Sequence, residues 1–161
     1  MPDAFADLLL PDPLLRAVDK LGFTQPTPVQ QQVIPPAAEG RDLLVSAATG
    51  SGKTAAFLLP MLQRFLDQPR PHGGTRALVL VPTRELARQV LSQFLALASY
   101  TRAFAGVITG GAPMRHQIAD LRRNPELLIA TPGRVLEHLE RGSAELGDLE
   151  VLVLDEADRM L

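Results

Sequence analysis

The stretch Asp42–Thr54, D-L-L-V-S-A-A-T-G-S-G-K-T, constrains this chain more than any other, because an apolar run there breaks into a glycine turn that must feed a helix. Leu43, Leu44 and Val45 suit a strand buried on both faces, where the apolar/polar alternation of a half-exposed strand is lost. Gly50 and Gly52 permit positive φ and close backbone approach, so that successive N–H groups point at an anion where the helix begins. Ala48, Thr49, Gly50, Ser51 and Gly52 then form a cradle for phosphates, Lys53 reaches the outer phosphates, and the Thr54 hydroxyl is placed for a bridging Mg2+. The strict pattern G-x-x-x-x-G-K-[ST] is missed at one position, where Ala47 replaces the first glycine.

A loop of this kind needs a carboxylate at the end of a second buried strand, holding the metal through its water shell. V-L-V-L-D-E-A-D at 151–158 supplies it. Asp155 suits the metal, and Glu156 suits orienting and deprotonating an attacking water. The two sites together point to a nucleoside triphosphatase, with Lys53, Asp155 and Glu156 as its catalytic residues.

Between and around them one plan repeats: an apolar run, a sharp loop, a helix. Ala77–Val81 leads into P-T-R-E-L, with Thr83 as N-cap and Glu85 in the first turn of a helix whose buried face is Leu86, Val90, Phe94 and Leu97. Phe104–Ile108 ends in T-G-G; Leu127–Ala130 ends in T-P-G-R, opening a helix that Gly142 closes; Leu149–Leu154 is the last run. Five strand-helix alternations predict an α/β fold, a mostly parallel sheet covered by helices on both faces. Loops leaving strand carboxyl ends share one edge of such a sheet, and ligands bind there. Upstream, Asp12 and Pro13 start a helix with Leu14, Leu15, Val18 and Leu21 on one face, and Thr27-Pro28 starts a second, carrying Gln30. Pro60, inside the helix after the glycine turn, is expected to kink it.

A net charge of −2 excludes a globally basic nucleic-acid binder, so any such contact must come from locally placed arginines and backbone N–H groups. There is no cysteine, His72, His116 and His138 have no metal-ligand spacing, and no apolar run is long enough to cross a bilayer. The cytoplasm is the expected setting.

In their order these motifs resemble the N-terminal RecA-like domain of the DEAD-box ATP-dependent RNA helicases, over nearly the whole chain. G-F-T-Q-P-T-P-V-Q at 22–30 is similar to that family's Q motif, with Phe5 at its upstream aromatic position. The resemblance implies that Gln30 reads the adenine edge of ATP with aromatic packing from Phe5 or Phe23. A carboxamide offers the donor and acceptor that adenine requires. It implies too that Thr83, Arg84, Gly111, Thr131, Gly133 and Arg134 contact the RNA sugar-phosphate backbone without reading sequence. Residues 1–40 would hold the Q motif and N-terminal helices, and residues 41–161 a partial RecA-like P-loop domain, incomplete at the C-terminus. The family's S-A-T motif and second RecA-like domain, with its arginine fingers, have no counterpart here. As an isolated chain it would be a nucleotide-binding module without unwinding activity, of marginal stability. The family's S-A-T strand lies between the phosphate-loop and D-E-A-D strands, so residues 43–46 and 149–154 are expected roughly 9 to 10 Å apart, unpaired on their facing edges.

Overall fold

The computed structural model describes residues 4–70 and 73–161; Met1–Asp3, Pro71 and His72, and with them the sequence reading at the extreme N-terminus and at His72, lie outside it. The chain falls into two compact units, Met1–Pro69 with Gln93–Arg102, and Arg70–Ser92 with Ala103–Leu161.

The first unit is helical. A short 3-10 turn, Phe5–Leu8, precedes α1 (Asp12–Lys20), α2 (Pro28–Ala38) and α3 (Lys53–Asp67). Pro11 rather than Asp12 occupies the cap of α1, and its buried face is Leu14, Ala17 and Val18, while Leu21 is exposed beyond the last turn. The face narrows because Gly22, at φ 77°, turns the chain away before another helical turn can cover Leu21. Thr27 caps α2 reciprocally. Its hydroxyl accepts from the Gln30 N–H at 3.4 Å, and its own N–H donates to Gln30 Oε1 at 2.9 Å. α2 packs along α3, which runs on through Pro60 and buries Ala55, Leu58, Leu59, Leu62 and Phe65.

The second unit is a parallel sheet of β1 (Ala77–Leu80), β2 (Ala105–Ile108), β3 (Leu127–Ala130) and β4 (Val151–Leu154), in the order β2-β3-β1-β4. It is linked by α4 (Arg84–Leu97), α5 (Met114–Leu121) and α6 (Pro132–Arg141). α4 crosses from this unit into the first. β1 and β3, at the centre, are buried along nearly their whole length, as their unbroken apolar runs require. Leu78, Ile108, Leu128, Ala130 and Val135 form the core on one side, extended by Leu121, Leu146 and Leu149. The amino ends of three strands are tied by one residue, Arg76, whose side chain is fully buried. It forms a short hydrogen-bonded ion pair from Nε to Glu150, and its Nη1 lies 3.5 Å from Glu126.

Two expectations are corrected. Residues 43–46 form no strand and pair with nothing in the sheet. Leu43, Leu44 and Val45 are exposed, Leu44 fully so. An apolar run becomes a buried strand only where neighbours supply ladder hydrogen bonds and cover, and among the described residues none does so here. The sheet accordingly has four strands, not five. Likewise β4 is not buried on both faces. It is an edge strand on which Val151 and Val153 are half-buried while Leu152 and Leu154 are exposed, because β1 pairs with it on one side alone and one face lacks cover.

Candidate nucleotide and nucleic-acid sites

In the first unit the turn before α3 is built as the glycines require. Gly50 and Gly52 take φ 81° and 83°, the left-handed region that side chains resist, and Gly52 caps α3. Close packing adds a second reason at Gly52: a Cβ there would stand 2.5 Å from Gln30 Nε2 and 2.9 Å from Thr27 Oγ1. Gln30 is buried, and its Nε2 donates to the Gly52 carbonyl at 3.1 Å. The residue expected at the base therefore also braces the glycine turn before α3. Phe5 and Phe23 stack on each other, centroids 6.3 Å apart, Phe5 buried and Phe23 partly exposed.

An open cavity of about 610 Å³ lies along this loop, lined by Thr27, Pro28, Val33, Ala47, Gly50 and Ser51. Ala48 and Thr49 are exposed, while Lys53 and Thr54 are half-buried in the first turn of α3. Ser51 Oγ is buried without a hydrogen-bond partner. A buried hydroxyl left unsatisfied is costly unless a ligand completes it. With the glycine backbone and the amino end of a 15-residue helix, it makes this loop fit a polyphosphate.

In the second unit the remaining motifs gather at the carboxyl ends of the strands. After β1, Thr83 Oγ1 accepts from the Leu86 N–H at 3.2 Å and caps α4, leaving Arg84 exposed in its first turn. The Arg84 guanidinium lies over Gly111, where φ is 85° and a Cβ would come within 2.7 Å of Nη1. After β3, Thr131 opens α6, and Gly133 sits exposed in its first turn with nothing within 4 Å of where a Cβ would be. Arg134 Nη1 donates to the Ala112 carbonyl at 2.8 Å and to Gln117 Oε1 at 3.2 Å. The P-T-R, T-G-G and T-P-G-R loops are thus joined by contacts of two arginines with one turn, that of Gly110–Ala112.

After β4, Asp155 is buried, and its N–H donates to the Leu80 carbonyl at 3.0 Å. Glu156 takes a left-handed backbone (φ 53°) and accepts from Arg159 Nη1 at 2.8 Å. No group of three or more His, Cys, Asp or Glu that could hold a metal occurs among the described residues. Magnesium in phosphate-transfer sites takes one or two protein oxygens, the rest coming from substrate and water.

Two buried residues that sequence reasoning left without a role underlie this edge. Gln117 and His138 are 4% and 0% exposed and hydrogen-bonded to each other at 2.9 Å. The one legible signal was the spacing of Arg134 and His138, four apart on one face of α6. Burial, reinforced by Arg134 and Arg141 and opposed by Glu137, pulls the His138 pKa below the usual imidazole value.

Among the described residues no helix is long and apolar enough to cross a membrane. Residues 27–161 match the DEAD/DEAH box helicase family. The chain is 52% identical to "DEAD-box ATP-dependent RNA helicase 28" of Arabidopsis thaliana, over 99% of its own length and 20% of that protein. It is also 52% identical to "ATP-dependent rRNA helicase rrp3" of Botryotinia fuckeliana, covering 32% of it. It superposes on the RNA helicase Prp28 of Chaetomium thermophilum, solved bound to ADP, with a TM-score of 0.90 at 39% identity, covering 98% of this chain and 39% of that one. The chain spans about a fifth to a third of these curated relatives. On this evidence the glycine turn before α3 and the loops after the sheet strands belong to a RecA-like helicase domain, and the chain is a member of the DEAD/DEAH box helicase family.

Proposed function

We propose that this chain is the N-terminal ATP-binding domain of an ATP-dependent RNA helicase, which couples ATP binding and hydrolysis to the remodelling of RNA duplexes. The observation that carries the reading is the junction of three loops at the carboxyl edge of the sheet, where Arg84 covers Gly111 and Arg134 holds Ala112. The names of its relatives support it, as does the ADP in the Prp28 structure.

In this reading Ala48–Gly52 cradle the phosphates and Lys53 binds the outer ones. By the resemblance, the Thr54 hydroxyl and, through water, Asp155 would hold Mg2+, and Glu156 would be the base for the attacking water. Bound ATP·Mg2+ supplies the phosphoryl group and the charge that neutralises it. Gln30, the Q-motif residue, reads adenine with the donor and acceptor capacity left by its bonds to Thr27 and Gly52, beside the Phe5–Phe23 stack. Thr83, Arg84, Gly111, Thr131, Gly133 and Arg134 form an RNA platform that binds backbone and not sequence. The cytoplasm is the setting we propose, and a second RecA-like domain in the full-length protein supplies the arginine finger. Such fingers are worth about 10³ to 10⁵ in rate, so residues 1–161 alone bind nucleotide without unwinding.

RNA-stimulated ATP hydrolysis and strand separation by the full-length protein, with Lys53→Ala as control, test the reading. Full activity in that variant, or no hydrolysis in the parent, overturns it. Unwinding by residues 1–161 alone overturns the division of labour.

A further inference from the structure

Arg134 stands in the RNA platform, yet its guanidinium turns into the protein. Its side chain is 14% exposed; Nη1 serves Ala112 O and Gln117 Oε1, and Nε lies 3.6 Å from the Glu137 carboxylate. Gln117, behind it, is buried, and chemistry fixes its orientation. Arginine only donates, so the amide atom facing it is the oxygen; the opposite nitrogen donates to the Thr109 carbonyl at 2.8 Å. The same oxygen lies 2.9 Å from His138 Nε2, which must therefore carry a proton, leaving Nδ1 to accept from the Ser143 hydroxyl at 2.7 Å. One chain of hydrogen bonds thus runs from the end of α6 back through its first turn to the Thr109–Ala112 turn after β2.

Resting on the RNA-platform reading, we propose that Arg134 is a positioning residue that clasps the Gly110–Ala112 turn to the first turn of α6, and that Gln117 and His138 hold it in that geometry. The clasp fixes the spacing between the backbone N–H groups near Gly111 and those near Thr131 and Gly133. A run of phosphates can meet both groups only at one separation. Both bonds come from Nη1, whose two hydrogens are fixed in the plane of the guanidinium, whereas the three hydrogens of a lysine ammonium sit on a flexible stem and are not preset to those two acceptors. Arg134 then contributes to RNA affinity through loop geometry, with its charge already committed inside the protein.

The test uses the full-length protein, a single-stranded uridine oligonucleotide and a non-hydrolysable ATP analogue, with affinity measured across salt concentrations. Arg134→Ala, Arg134→Lys and Gln117→Leu should each weaken RNA binding roughly tenfold, the scale of one hydrogen bond to a charged group. The lines of log affinity against log salt should stay parallel to the parent's, and affinity for the analogue should be unchanged. The double variant Gln117→Leu/Arg134→Ala should bind no more weakly than Arg134→Ala, since the two act as one unit. A direct phosphate contact predicts otherwise. The salt slope would fall by about 0.7 in Arg134→Ala, and Arg134→Lys would retain binding; either result overturns the proposal. Additive losses in the double variant, or equal loss of nucleotide affinity, overturn it as well. Gly133→Ala separates the two levels. If it leaves RNA affinity intact the platform reading falls and the clasp with it; if it weakens RNA while Gln117→Leu does not, the clasp alone falls.

Discussion

Gln30 Nε2 donates to the carbonyl of Gly52 at 3.1 Å, joining a residue in the first turn of α2 to the glycine that caps α3. A change at either end is therefore felt at the other. Gly52→Ala would force a side chain into a left-handed backbone and drive its Cβ to 2.5 Å from that nitrogen. Strain of this kind costs about 1 to 3 kcal/mol, and we expect ATP affinity to drop at least tenfold. Gln30→Ala should weaken ATP and narrow the preference for ATP over GTP; titration with both nucleotides measures this. Unchanged discrimination in Gln30→Ala removes the adenine role.

Glu156→Gln should separate binding from chemistry. An amide cannot accept the proton of the attacking water, so hydrolysis should fall by about 10² to 10⁴ while ATP affinity holds. Lys53→Ala should instead weaken binding itself. Single-turnover hydrolysis beside equilibrium titration distinguishes the two, and an active Glu156→Gln enzyme ends the assignment.

Gly133→Ala isolates the RNA face. The added methyl meets nothing in the protein, and alanine is a better helix residue than glycine by about 1 kcal/mol in a helix interior. The thermal midpoint should hold or rise. RNA affinity should fall at least several-fold, because the methyl occupies the space of a close-packed sugar-phosphate chain; unchanged affinity argues against contact there.

The fully buried His138 gives the domain an acid-sensitive element. Its pKa is lowered by burial and by Arg134 and Arg141, so as pH falls below about 6.5 the unfolded chain takes up a proton before the folded one does. The stability it contributes is complete above that pH and is lost as pH drops toward the folded ring's lower value. Denaturation of the parent and His138→Gln from pH 7.5 down to about 5 should show the parent's pH dependence below about 6.5 flattened in the variant. Parallel curves would contradict the neutral tautomer.

Arg76→Met should be among the most damaging single changes in the second unit. It removes the hydrogen-bonded partner of Glu150, 10% exposed, leaving that carboxylate the more exposed Arg70 at 3.6 Å, and removes the charge that opposes the desolvation already raising the Glu126 pKa. Breaking a buried pair in this way costs about 3 to 5 kcal/mol. A fall in the domain's thermal midpoint, partly reversed by adding Glu150→Leu, is the expected result.

The turns and caps were legible because each carries its own local reason. Thr27 and Thr83 cap as their positions demand, Gly50 and Gly52 take the positive φ that only glycine accepts easily, and Gly142 closes α6 at φ 74°. Local rules reach no farther than a turn or two. Leu43–Val45 and Val151–Leu154 look alike as apolar runs, and what separates a paired strand from an exposed segment is a neighbour far away in the chain. The same limit hid Arg76 and Gln117, a charged and an amide residue whose roles depend on partners 74 and 21 positions away.

Arg76 fastens only one end of the sheet. Its N–H donates to Glu126 O, its carbonyl accepts from the N–H groups of Glu150 and Val151, and its side chain draws in both glutamates, all at the amino ends of the strands. The opposite rim carries the glycine-rich turns. The sheet is thus clamped by buried charge at its base and by backbone bonds and arginine contacts at its opposite rim. Substitutions among those turns can therefore alter the rim without reaching the charge cluster that holds the base of the strands together.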